Sequence, residues 1–461
     1  YIYNIMRIIT IHDTKNSLLK SRYSGSDTMR MVRFLPSIAM FKEEKSHNIY
    51  ILSYRIWRKR IKPKQDIKHM DDIGHPWKHQ WGKKDGKWSN EPSFDSTAFA
   101  LIKVNKINAK VSVLKEYIPS NRNSKIDMRV LARTRLRNGR HPSYYVTFNT
   151  FGLLNPKRFP NNYKNMKSNI NPMCFQYIDN KGKVYNDANN RLIDKDKRLT
   201  KTHKNILKKQ SWCTFQMRAI MHLTSKMIPR FSKVRLVCAA HHQRFEKNIQ
   251  PFADNKANEH FQYAIEPWVF FDKDCRKITP LKTTMFTNII NYYDNRDISP
   301  FGKTLQFSCS TPLVDFDSNT LIASGHFKLM YTTNFKQDSP IYNFLKKAKL
   351  MMKMKSLQYQ GNEHLIHPEY IYGMFIYTVD KDTLELRKVS KCFIPIYKNY
   401  KQLLTFPSGI SNHSNNTFLI AYHENDMTIR MLHYTKAELD VMLLYDKNTN
   451  PSKFPFEIVT Y

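Results

Sequence analysis

Asp127 and Arg129 stand two residues apart in a short segment, Lys125–Leu131. A neighbouring guanidinium favours the ionised carboxylate, which suits a proton acceptor. Burial favours the neutral acid, which suits a proton donor, and the sequence leaves both open. The plain alternative is a turn aspartate in a basic loop. Arg55 and Arg129 carry planar forks able to grip a phosphate or a diol through two parallel hydrogen bonds; their plain alternative is a salt bridge between sheets. Lys247 and Asn248 are adjacent, and His326 and Lys328 are two apart. These add donors, and a cation at a strand end can neutralise phosphate oxygens as charge builds there. For His326 a hydrogen-bonded core histidine is an equal expectation. Tyr422, His423 and Asp426 can contact sugar hydroxyls. Trp268 and Tyr263 can stack on a pyranose face, although strand aromatics more often belong to the core.

Several chemistries find no support. The sequence has no Walker motif, no dinucleotide fingerprint, no HExxH and no GxSxG. Two DKD triplets, Asp272–Asp274 and Asp380–Asp382, flank predicted strand ends and read as turns. No catalytic metal is therefore expected. The six cysteines, Cys174, Cys213, Cys238, Cys275, Cys309 and Cys392, form no CxxC pair.

The elements that must position these residues read as short strands. Phe34–Met40 and Ile49–Ile56 flank a charged turn; Tyr144–Asn149, Arg235–Ala239 and Trp268–Phe271 are compact β-branched and aromatic runs. Pro312–Asp315 pairs with Leu321–His326, Tyr372–Val379 with Leu384–Val389, and Phe418–Tyr422 with Met427–Tyr434. Repeated strand pairs at modest spacing predict a sandwich, barrel or propeller. Only 12 glycines occur, so Asn and Asp must supply many turns. Two stretches break the pattern and read as basic insertions, residues 58–92 and 155–210. A short basic helix is expected within Asp194–Ser211. Pro340–Ser356 reads as an amphipathic helix, either docked on the sheets or free for a membrane or partner; docking is the favoured reading.

The chain has 461 residues, 41% hydrophobic, with 75 Lys+Arg against 38 Asp+Glu, a net charge of +37. That charge attracts polyanions, but frequent Lys, Asn, Ile and Tyr also fit compositional bias. No apolar run is long enough to span a membrane as a helix. Few, scattered thiols point to a cytoplasmic or host-cell intracellular protein. The chain opens on Tyr1, which leaves room for an upstream segment.

Six segments, in order, resemble the superfamily of five-bladed β-propeller glycosidases, phosphorylases and glycosyltransferases, nearest its β-mannoside phosphorylases and β-1,2-mannosyltransferases. They are FLPSIAMF…NIYILSYRIWR (Phe34–Arg58), KIDMRVL (Lys125–Leu131), FEKNIQPF with YAIEPWVFF (Phe245–Phe271), STPLVDFDSNTLIASGHFK (Ser310–Lys328), YGMFIYTVD (Tyr372–Asp380) and FPSGISNHSNNTFLIAYHENDMTIRML (Phe406–Leu432). The chain departs from the pattern at Ile126, where an acidic residue is usual, at Ile249 in place of Trp, at Ser310 in place of Gly, and at His423 in place of Gly.

The resemblance implies an all-β fold, a single five-bladed propeller over residues 1–461 with two basic insertions and a few short helices. It implies Asp127 as the acid/base of a glycosyl transfer. Arg55, Arg129, Lys247, Asn248, His326, Lys328, Tyr422, His423 and Asp426 would line the axial pocket. It implies a carbohydrate acceptor and a nucleotide sugar or phosphate as co-substrate, with no further cofactor. Transfer of a mannose-like sugar from an activated donor is the leading expectation. Phosphorolysis with inorganic phosphate comes next, then a propeller that binds polyanions or glycans without turnover. Nucleic acid is the lesser expectation as a partner.

Overall fold

The computed structural model describes residues 7–10, 28–61, 94–118, 126–133, 142–151, 176–178, 184–186, 191–192, 214–224, 228–237, 248–256, 258–274, 276–278, 284–293, 305–330, 339–356, 370–396, 404–414, 416–424 and 428–460. They form an all-β molecule whose sheets follow one another along the chain in a propeller arrangement. After an N-terminal strand β1 (Arg7–Thr10), the first blade is the meander β2 (Thr28–Glu43), β3 (His47–Ile61), β4 (Phe94–Asn105) and β5 (Val111–Tyr117). The second holds β6 (Ile126–Ala132) and β7 (Ser143–Phe151). A small sheet of β8 (Gln176–Ile178), β9 (Val184–Asn186) and β10 (Arg191–Leu192) then intervenes. The second blade is completed by β11 (Thr214–Leu223) and β12 (Pro229–Leu236). The third is β13 (Gln250–Ala253), β14 (Glu259–Ala264), β15 (Val269–Phe271) and β16 (Lys277–Ile278), followed by helix α1 (Met285–Tyr293).

A seven-stranded sheet follows: β17 (Leu305–Cys309), β18 (Val314–Asp315), β19 (Thr320–Met330), β20 (Tyr370–Asp380), β21 (Leu386–Val389) and β22 (Cys392–Ile396), with helix α2 (Pro340–Ser356) between β19 and β20. The last blade contains β23 (Thr405–Ser414), β24 (Thr417–Glu424) and β25 (Thr428–Thr435), and β1 pairs with β25 as its fourth strand. Helix α3 (Lys436–Met442) leads to β26 (Phe456–Thr460), which returns to pair in parallel with β22.

The expected count of five blades is thus corrected. Among the described residues there are four four-stranded blades, and the remaining large sheet is enlarged by β18, β21 and the parallel addition of β26. Of the two stretches read as insertions, residues 58–61 continue β3, and residues 155–210 contribute β8 to β10. The helix expected within Asp194–Ser211 lies outside the described residues. The run Arg235–Ala239 meets β12 at Arg235 and Leu236, and the Val237 N–H continues the pairing with β11 by donating to the Gln216 carbonyl at 2.9 Å; Cys238 and Ala239 lie outside the described residues.

Acidic and amide side chains make the turns that glycine does not. The Asn105 Oδ1 accepts from the N–H of Ile107 and of Asn108. Asp254, Asp272, Asp317 and Asp380 do the same in their own hairpins. Such side-chain acceptors mimic a backbone turn and hold the register of the flanking strands. Both DKD triplets are therefore turns.

The largest core cluster lies between the seven-stranded sheet, α1 and α2. Phe327, Phe344 and Phe456 meet there with ring centroids 5.5 to 6.0 Å apart. Ile341, Phe344, Leu345 and Ala348 bury one stripe of α2, so this helix docks on the sheet. Trp268 is also core: its indole N–H donates to the Leu384 carbonyl at 2.8 Å, and its ring packs on Phe270 and Tyr377. Tyr263 packs edge-on against Phe271. No helix among the described residues is long and apolar enough to cross a membrane.

Candidate functional site

Three strands, β2, β6 and β23, slip register against their hairpin partners. The slips fall between Phe34 and Ser37, between Ile126 and Arg129, and between Pro407 and Gly409. Such bulges re-aim side chains and leave backbone groups open to other partners. Leu35 and Asp127 stand in two of them with left-handed backbone, φ 51° and 52°. Asn248, just before β13, has φ 67°. L side chains rarely adopt this region, and it clusters at sites where geometry matters.

The bulges stitch the blades together. The Ser408 hydroxyl donates to the Pro36 carbonyl at 2.6 Å, and the Val130 N–H donates to the Ser37 hydroxyl at 2.9 Å. The Leu35 N–H donates to Nδ1 of His423 at 3.3 Å. Gly409 is required here: a Cβ on it would lie 2.5 Å from the Ile38 nitrogen and 2.7 Å from the Ser37 Cα.

Asp127 sits at the centre of this arrangement. Its Oδ1 lies 3.0 Å from Nη1 of Arg55, and its Oδ2 accepts from Nδ2 of Asn149 at 3.0 Å. Both charged side chains are largely enclosed, 8% exposed for Arg55 and 12% for Asp127. Arg129 runs behind them. Its Nη1 donates to the Asp127 carbonyl at 3.1 Å, and its Nε donates to the Ser310 carbonyl at 2.7 Å, which ties the second blade to the seven-stranded sheet. Burial pulls Arg129 down to about 10, opposed by Asp127 and then Cys309, so it stays charged at neutral pH.

The Ser310 hydroxyl lies 2.6 Å from Nδ1 of His326. Burial first, then Arg129, Lys328 and His423, pull His326 down to about 3. That shift favours the neutral ring at pH 7, which acts through hydrogen bonds. Phe406 links it to the last blade, 4.3 Å from His326 and 5.5 Å from His423 between centroids, with the Arg129 guanidinium 6.0 Å from the Phe406 ring. Lys328 and His326 share Tyr372, at 5.9 and 6.0 Å. The Cys309 thiol donates to the Asn248 carbonyl at 2.8 Å, and burial pushes that thiol up to about 12.

One contact network thus joins Arg55, Asp127, Arg129, His326 and His423, with Asn248 attached through Cys309 and Lys328 beside Tyr372. Tyr422 belongs to the core. Its ring is fully buried in the core between the last blade and the seven-stranded sheet, and its hydroxyl donates to Glu424 at 3.4 Å. Lys247 and Asp426 lie outside the described residues.

Sequence reasoning passed over Asn149, Cys309 and Phe406, and noted Ser310 only as a departure. Asn149 left one signal, a buried amide at the end of the apolar run Tyr144–Phe148.

No family model matches the chain, and no curated protein matches it. Among solved structures it is similar to a mannose phosphorylase from Leishmania mexicana, at 9% identity and TM-score 0.37, over 92% of this chain and 89% of that one. It is similar to a GDP-Man-dependent mannosyltransferase from the same organism, at 8% identity and TM-score 0.33, over 88% and 85%. The β-1,2-mannobiose phosphorylase from Listeria innocua aligns at 9% identity and TM-score 0.41, over 95% and 99%. At these scores the likeness adds no weight to the geometry above.

Proposed function

We propose that this protein transfers a mannose-like glycosyl group, with Asp127 as acid/base and a basic pocket for the phosphate of a nucleotide sugar. The observation that carries the reading is the carboxylate of Asp127, held on one oxygen by Arg55 and on the other by Asn149, among further cationic and amide groups. The ordered resemblance of six segments to the propeller glycosyltransferases and phosphorylases supports it.

In the transfer direction the acceptor hydroxyl attacks the anomeric carbon, and the bond from that carbon to the donor phosphate oxygen breaks. Asp127 takes the proton of the attacking hydroxyl. Asn248 and Lys328 hold the departing phosphate oxygens, Arg129 supports the site from behind through the Asp127 and Ser310 carbonyls, and the neutral His326 orients Ser310 by hydrogen bonding. With inorganic phosphate as the nucleophile the same groups run phosphorolysis, Asp127 then giving a proton to the leaving sugar oxygen. Thin-layer and phosphate-release assays over a panel of nucleotide sugars and mannosides test this. Nucleotide release with a lengthened acceptor supports transfer; sugar 1-phosphate formation supports phosphorolysis. If wild type and Asp127→Asn are equally inert across the panel, the non-catalytic reading, favoured by the charge of +37, takes over.

A further inference from the structure

A concavity lies away from Asp127. Asp127 is near the N-terminal end of β6, whereas Arg133 lies just past its C-terminal end. Six residues of extended chain separate the two by roughly 20 Å. Beside Arg133, between the second and third blades, a cleft of about 350 Å³ is lined by Arg133, Arg218, Lys233, Lys273, Glu259 and Asp274. That volume falls within the range of small-molecule sites.

Two of its four cations are held in place. Arg218 reaches across the blade boundary: its Nη1 lies 3.5 Å from Glu259, its guanidinium is 5.2 Å from the Phe261 ring, and its side chain is 11% exposed. Arg133 lies 4.9 Å from the Tyr145 ring and donates to the Ser143 hydroxyl at 3.3 Å. Lys233 falls at the bulge where β12 slips against β11, between Arg218 and Ile220, and it holds φ 51°. A lysine in that conformation on a bulge is a re-aimed side chain. Lys233 and Lys273 have no ion-pair partner among the described residues.

Four cations face two carboxylates, and Glu259 is already engaged with Arg218. The excess of two positive charges matches a phosphate monoester, which carries nearly two negative charges at neutral pH. A guanidinium fork suits its oxygens, and the Tyr145 ring adds an apolar wall for the group that bears the phosphate. We propose that this cleft binds a phosphate monoester of monosaccharide size, at a site separate from Asp127.

Titration calorimetry with glucose 6-phosphate, glucose and inorganic phosphate tests it on the full chain. The comparison uses Lys233→Gly/Lys273→Ala, Lys273→Glu alone, and Asp127→Asn. Glycine suits the left-handed backbone at 233, so the double variant keeps the bulge; Lys273→Glu leaves the bulge untouched. Expected is saturable binding of glucose 6-phosphate that either cleft variant weakens by about tenfold or more and that Asp127→Asn leaves in place. The proposal is overturned if glucose binds as well as its phosphate, if no saturable binding appears at millimolar ligand, or if binding survives both cleft variants and changes only in Asp127→Asn.

Discussion

Arg55 and Asp127, 72 residues apart in the chain, meet at 3.0 Å across the boundary between the first two blades. Each is fixed by a different strand, β3 for the guanidinium and β6 for the carboxylate, so their contact depends on how the blades pack. Asp127→Asn removes the charge and turns an acceptor into a donor facing the Asn149 amide. The expected result is a loss of glycosyl transfer of about 10²–10⁴-fold and a drop in stability of about 1–3 kcal/mol. The double variant Asp127→Asn/Asn149→Asp should recover stability but not turnover. Denaturant melts and the product assay read the two effects separately.

Acid should weaken the fold through His326. Its value of about 3 in the folded protein lies below the ordinary 6.5. The unfolded chain therefore binds a proton that the folded one refuses between those limits. Stability is full above about pH 6.5 and falls as the pH drops toward 3. His413, pulled down to about 4 by burial, adds to the same slope. Thermal melts across that range should show the decline, and His326→Gln should shrink it.

Gly409→Ala should damage the site from a distance. Its new Cβ would press on the backbone of Ser37 and Ile38, a clash with main chain that no rotamer relieves. A destabilisation of about 1–3 kcal/mol or more is expected, with weaker turnover because Ser408 loses its hold on Pro36. Chemical denaturation and steady-state kinetics check both.

A buried ion pair lies below His423. Nε of Arg430 is 2.5 Å from Oε2 of Glu424, and both side chains are nearly inaccessible. Burial raises the Glu424 carboxyl and Arg430 opposes the rise. Arg430→Met should cost about 3–5 kcal/mol by leaving the carboxylate without that partner. Adding Glu424→Gln should recover part of the loss, as a double-mutant cycle in urea would read.

Strand alternation and turn chemistry made much of the fold legible. The hairpin of β2 and β3, the docking of α2 and both DKD turns were readable because each depends on local pattern. Arg55 and Asp127 were singled out by their places in segments that resemble a known superfamily; their own residue types read equally as a salt bridge and a turn. The site was illegible where the partner is an amide or a backbone carbonyl, as at Asn149 and Ser310, since any strand supplies such groups. Tyr422 was read as lining the axial pocket, but alternation alone does not tell which face of a strand the core will claim. Sheet size was hidden too, because β26 joins β22 from far along the chain and in parallel.

The pairing of β1 with β25 has a mechanical meaning. Four residue pairs, Arg7 with His433 through Thr10 with Arg430, form a seam where the last blade is fastened by hydrogen bonds to a strand from the other end of the sequence. A force or protease that peeled this latch away would uncover the free edge of β25. A bare edge recruits strands from other molecules, so the integrity of the seam governs whether the protein remains dispersed or self-associates.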